Sequence, residues 1–282
     1  CPIPRNLRQR MIRMTIKHRL LSAFSLCGVL LAAGCTSTGP GLERAAQDIR
    51  ISRANFSETD PVDFEGGAPH GYPVHGTDVS KYQREIDWPT ARANGVNFVF
   101  IKATEGGDRI DDYFSANFAG AKAAGIPRGA YHFFYFCTPA FVQAKWFLSH
   151  VPRDPSALPP LLDMEWNHLS PSCKFRPEPE AVRKEMQVWM DTVERGFGKR
   201  PIIYVTPDFY DENLKGYFKD YQFFLRTVKE HPRNRYPGQP WTFWQYSGTG
   251  SIPGIKGNAD MNVFSGSPAQ WKAWLAKNRV KP

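Results

Sequence analysis

A chain of 282 residues with 41% hydrophobic and 14% aromatic content holds enough apolar side chain for a substantial core, which excludes a disordered protein. Its formal charge of +9 is unevenly spread: residues 1–34 carry six basic residues and no acid, leaving 30 basic against 27 acidic residues, a net of +3, over residues 35–282. That is an ordinary surface balance, and it does not indicate a nucleic-acid groove.

The first element is an address. Met11 opens a basic stretch (Arg13, Lys17, Arg19), and an apolar run from Leu20 to Ala33 ends in Gly34-Cys35. The run has the length of a secretory signal and is short for a membrane span. Small residues followed by cysteine resemble the bacterial lipoprotein box. Cys35 is therefore expected to carry lipid, with residues 36–41 as a tether; the alternative is an ordinary cleavage site with Cys35 incidental. Residues 1–10 precede the start methionine of this reading and count as upstream sequence. The expectation is an exported protein of the cell envelope, anchored to the membrane through lipid. In that oxidising setting Cys137 and Cys173 are natural disulfide partners, although two buried thiols are the other reading.

Residues 35–73 read as lipid-anchor cysteine plus linker or extension, and residues 74–282 as one barrel domain. Strands are predicted at Val74–Ser80, Phe98–Thr104, Gly129–Phe136, Leu161–Trp166 and Pro201–Thr206, separated by helices at Asp87–Asn94, Asp112–Ala124, Pro139–His150 and Glu178–Gly196. Phe98 to Thr104 is a near-continuous apolar run, as a strand buried on both faces requires. After Thr206 the rhythm changes. Phe223–Val228, Thr242–Tyr246 and Ala259–Phe264 read as strands with little helix between them, and Pro268–Lys277 as a final helix. β/α alternation with eight strands predicts an α/β barrel, irregular in its last third. An open doubly wound sheet is the runner-up, but no Gly-x-Gly-x-x-Gly turn follows the first strand.

Carboxylates cluster at strand ends. Asp78 lies near the end of strand one, Asp163 and Glu165 at the end of strand four, and Asp260 in strand eight. Residues two apart on a strand share a face, so Asp163 and Glu165 project together while Met164 and Trp166 face away. If the barrel closes, strand eight neighbours strand one, and the four acids converge at the C-terminal mouth. No lysine or arginine accompanies them within strands one, four or eight. One carboxyl should therefore retain a proton, as a general acid must. Glu165 is longer and nearer the strand end, so the proton is expected there, with Asp163 ionised and deeper. No Cys-x-x-Cys or His-Glu-x-x-His run occurs, so neither a zinc site nor a cofactor is expected.

With these residues the sequence resembles glycoside hydrolase family 25, the N-acetylmuramidase lysozymes. The similarity runs from about Val74 to Phe264 and includes Asp78-Val79-Ser80-Lys81-Tyr82-Gln83, Phe100-Ile101-Lys102-Ala103-Thr104-Glu105, Gly129-Ala130-Tyr131-His132-Phe133, Asp163-Met164-Glu165-Trp166, Phe243-Trp244-Gln245-Tyr246 and Ala259-Asp260-Met261-Asn262. The resemblance implies an irregular (β/α)5(β)3 barrel and cleavage of the β-1,4 bond between N-acetylmuramic acid and N-acetylglucosamine. It also implies Glu165 as proton donor, with Asp78, Asp163 and Asp260 as companion acids. Tyr131, His132, Tyr204, Trp244, Gln245 and Asn262 become candidates for substrate binding. One departure stands out: Phe223-Phe224-Leu225-Arg226-Thr227 puts a bulky base where the family's sixth strand has something smaller. The expected partner is the peptidoglycan glycan strand, met by a monomer. A non-catalytic wall-binding lipoprotein and a hydrolase of chitin or another N-acetylated glycan are the competing readings.

Overall fold

A computed structural model of the chain describes residues 50–167 and 170–278; the leader, Cys35 and the tether lie outside the described residues. In chain order the elements are β1 (Ser57–Glu58), β2 (His75–Val79), α1 (Trp88–Ala93), β3 (Val99–Glu105), β4 (Arg109–Ile110), α2 (Phe114–Ala123), β5 (Arg128–Phe133), α3 (Ala140–His150) and β6 (Leu161–Met164). There follow α4 (Pro179–Phe197), β7 (Ile202–Val205), β8 (Gln222–Arg226), β9 (Phe243–Ser251), β10 (Ala259–Phe264) and α5 (Pro268–Asn278). Among the described residues no helix is long and apolar enough to cross a membrane.

Parallel pairing runs from β2 through β3, β5, β6, β7 and β8 to β9. β10 is antiparallel to both β9 and β2 and closes the ring. The fold is thus the expected barrel of five β/α units followed by three strands. In the fifth unit the helix is reduced to a turn at Pro207–Phe209 that runs into a π-helical turn at Tyr210–Leu214.

Strand alternation sorts two apolar layers. Phe98, Phe100, Leu161, Ile202, Phe224, Phe243 and Phe264 fill the lower barrel, plugged by Trp271 and Leu275 of α5. Val99, Ile101, Leu162, Met164, Ile203, Val205 and Leu225 face outward against the helices. Both faces are buried, which is why these strands read as continuous apolar runs. Gly76 is required by this packing: a Cβ there would stand 2.4 Å from the Phe98 carbonyl oxygen and 2.6 Å from its ring. Outside, α4 contributes Val182, Met186, Trp189, Met190 and Val193 from one face and ends at Gly198, whose φ of 68° makes the left-handed cap.

The helix-poor side is covered by the residues before the barrel. β1 pairs with the end of β9, Ser57 opposite Ser251 and Glu58 opposite Gly250. Phe64 sets its ring edge-on to Trp244 at 5.4 Å, and Tyr72 lies 6.1 Å from the same ring. β9 accordingly runs five residues past the expected end at Tyr246. Ser247 to Ser251 has no apolar face of its own; pairing with β1 and β10 on either side holds it extended.

Candidate active site

β10 runs against its neighbours, so its first residues lie where the parallel strands end. Asp260 there meets Asp78 at the end of β2, in hydrogen-bond contact. A bond between two carboxyls needs one proton, and the surroundings decide its owner. Asp78 Oδ1 accepts from Asn262 Nδ2 at 2.7 Å and from Gln245 Nε2 at 3.1 Å. Tyr204 donates its hydroxyl to Gln245 Oε1 at 2.8 Å, fixing the amide with its NH2 toward Asp78. Asp78 is thus built as the acceptor, and Asp260 holds the proton. Burial raises both carboxyls, Asp260 well above the usual range with the Asp78 charge adding to it, Asp78 less because its donors favour the ionised form.

Asp163 and Glu165 stand at the end of β6, on the opposite wall. Asp163 is 7% exposed and its Oδ1 has no hydrogen-bond partner. Burial, then the neighbouring Glu165, pushes it well above the usual carboxylate range. Glu165 is raised too, chiefly by burial, and Asp208 beyond β7 adds to this. Against the expected division, with the proton on Glu165 and an ionised Asp163, both carboxyls are pushed toward the neutral form, the deeper Asp163 more strongly. Strands one, four and eight carry no lysine or arginine beside the acids, as expected, but cations reach them from other strands. On strands that carry none of the four acids, Arg226 of β8 lowers the raised value at Glu165, and Lys102 of β3 lowers those at Glu165 and Asp163. Lys102 pairs with Glu105 and sits 4.6 Å from the centre of the Phe133 ring. The signal for it was present: a lysine at an inward position of an otherwise apolar strand.

The six proposed binding residues separate by strand parity. Tyr131 points inward among the acids, and burial followed by the charges of Asp78, Asp163 and Asp260 holds its phenol well above its usual value. Tyr204, Gln245 and Asn262 are also inward, but they buttress Asp78 rather than face open solvent; Asn262 is fully buried. His132 and Trp244 face the other way. His132 is fully buried, with Thr104 Oγ1 2.7 Å from Nδ1, Gln143 Oε1 3.0 Å from Nε2, and its ring stacked on Trp189. Burial pulls its pKa down to about 4, so it stays neutral in the core. Trp244 is likewise fully buried and donates its indole N–H to the Thr227 carbonyl at 2.7 Å. Neither can touch a ligand in the barrel mouth.

Cys137 and Cys173 form the expected disulfide. It joins the segment after β5 to the segment after β6, so it braces the rim on which Glu165 and Trp166 stand. Trp166 points away from the mouth, donating to Glu212 Oε2 at 2.7 Å.

The family model for glycosyl hydrolases family 25 matches residues 77–255. Over 272 residues the chain is 39% identical to the protein YegX of Escherichia coli (strain K12), covering 91% of this chain and 96% of that one. It is 35% identical to lysozyme M1 of Streptomyces globisporus over 257 residues, covering 85% and 83% respectively. The structure of a family 25 glycosyl hydrolase from Bacillus anthracis superposes with a TM-score of 0.66 at 32% identity, covering 76% of this chain and 98% of that one. Closed barrel, clustered acids and matched sequence agree, and the chain belongs to glycosyl hydrolases family 25.

Proposed function

We propose that this glycoside hydrolase cuts peptidoglycan at the β-1,4 bond between N-acetylmuramic acid and N-acetylglucosamine, with Glu165 as general acid. The observation that carries the reading is the pairing of Asp163 with Glu165 on one strand face, opposite an Asp78 that accepts hydrogen bonds from Asn262, Gln245 and Asp260. Burial favours the neutral form of both Asp163 and Glu165. An acetamido N–H donated to Asp163 favours its ionised form and leaves the proton on Glu165, where the leaving oxygen takes it. As the bond to C1 breaks, positive charge develops on the ring. The 2-acetamido oxygen of the same sugar closes on C1, and the Asp78 carboxylate faces that charge. Water then opens the intermediate with Glu165 as base, giving net retention.

Clearance of purified peptidoglycan tests the reading, with Glu165→Gln as the comparison. Loss of a general acid is expected to cost about 10²–10⁴-fold in kcat. Equal, negligible clearance by both proteins would leave only wall binding. The first anomer released from a defined muropeptide oligomer tests the acetamido route, which immediate inversion rules out. Chitin oligomers assayed beside peptidoglycan fragments separate the substrate classes. We propose further that the protein is exported and lipidated at Cys35. The disulfide supports an oxidising compartment, and palmitate incorporation lost in Cys35→Ala tests the anchor.

A further inference from the structure

Arg226 is the one residue of β8 whose place the proposed chemistry leaves unexplained. It is the last residue of β8, two positions beyond Phe224, whose ring packs inside the barrel against Phe100, Tyr204 and Phe243. By parity Arg226 faces the same interior, one layer higher, opposite Gln245 of β9. Its charge acts on Asp78, Glu165 and Asp260. Yet none of the ion pairs among the described residues involves it. A half-buried guanidinium without a carboxylate partner is costly, and its fork suits a planar anion.

Arg226 also lines a cavity of about 300 Å³ beside β9, within the size range of small-molecule sites. Phe64, Gly248 and Met261 form its walls, and Lys229 adds a second cation. Gly248 ties this cavity to the acids, since a Cβ there would stand 3.4 Å from Asp260 Oδ1. Two acids also line it, Glu58 and Asp60; Glu58 is engaged, accepting from the Thr249 hydroxyl at 2.6 Å and from the Asp60 N–H at 3.2 Å.

We propose that Arg226 and this cavity bind the carboxylate borne on the C3 ether arm of muramic acid, making Arg226 the residue that selects muramyl glycan over N-acetylated glycans without an acidic arm. The inference rests on the muramidase reading and deepens it. The carboxylate is that of the lactyl group itself or of a short peptide attached to it; both present the same anion.

The test uses soluble tetrasaccharides of alternating N-acetylglucosamine and N-acetylmuramic acid in three forms: free lactyl acid, lactyl amide, and lactyl carrying an alanyl-isoglutamate dipeptide. For the wild type, kcat/KM should favour an acid-bearing form over the amide by about 10- to 100-fold, mainly through KM, the worth of a charge-assisted hydrogen bond. In Arg226→Gln that preference should collapse to near unity, and Arg226→Lys should keep part of it. The ratio is the readout because any influence of Arg226 on the catalytic acids acts on all three substrates and cancels. Preference for the free acid identifies the lactyl carboxylate; preference restored only by the dipeptide identifies the peptide. A wild type that cuts all three within twofold of each other overturns the proposal while leaving the muramidase reading intact. A preference that survives in Arg226→Gln does the same. No cleavage of any form sinks both.

Discussion

Asn262→Ala isolates the ionisation of Asp78. The amide is fully buried and gives the shorter of the two amide hydrogen bonds to that carboxylate, 2.7 Å against 3.1 Å from Gln245. A hydrogen bond to a charged group is worth about 1.5–3 kcal/mol, which the ionised form alone enjoys. Its loss should move the acid limb of the pH dependence of kcat/KM upward by about one to two pH units. Stability should change much less. Asn262 Oδ1 has no hydrogen-bond partner, so truncation also removes an orphaned acceptor costing roughly 1–3 kcal/mol, and the two effects oppose each other. A thermal melt at neutral pH should shift by only a few degrees, about 1 kcal/mol or less, while the rate profile moves clearly. Initial rates on soluble muropeptide oligomers across pH 3–8, paired with melts in the same buffers, give both numbers. An acid limb that stays in place while the plateau drops would refute the reasoning, because Asp78 would then act without being ionised.

Asp163→Asn should raise stability relative to the wild type progressively as pH increases. The folded-state pKa of Asp163 is raised by burial and by Glu165, so its favourable neutral form is fully present below the unfolded value near 4 and is lost as pH climbs through the folded one. Melts at pH 4.5 and pH 8 should show the variant's advantage growing, and a constant or shrinking difference would contradict the assignment. Reducing the Cys137–Cys173 bond, which spans 36 residues, should cost roughly 3–4 kcal/mol, on the order of 10 °C in the melting midpoint. A midpoint that ignores reductant would mean that other contacts already fix both rim segments.

The barrel was legible because its strands are buried on both faces and its helices on one. Apolar runs such as Phe98 to Thr104 and the spaced apolar face of α4 mark the elements directly. The acid set was legible for a related reason: charges at the ends of apolar strands have few structural roles. What could not be read from runs and motifs was the face each neighbouring residue takes. Tyr131 and His132 are adjacent, as are Trp244 and Gln245, and in each pair one side chain enters the mouth while the other enters the outer core. Parity decides, and Gly129 below Tyr131 and Phe243 below Gln245 carry that information. It becomes usable once one inward residue on each strand is known.

The electrostatics needed closure of the ring rather than parity. Inspected strand by strand, the acids have no cation beside them. In the closed barrel Lys102 arrives from β3 and Arg226 from β8, so the charges balance across strands far apart in the chain. The residues before the barrel follow the same logic. β8, β9 and β10 lack the helices that cover the other strands, yet Trp244, Tyr246 and Val263 still face outward and are buried. Phe64 and Tyr72 supply that cover, from a stretch whose polar composition reads as linker because only scattered aromatic residues do the packing. The same stretch walls the cavity beside Arg226. Covering the helix-poor side and shaping the ground next to the catalytic acids are thus one structural event, and a family barrel that lacked these residues would have neither.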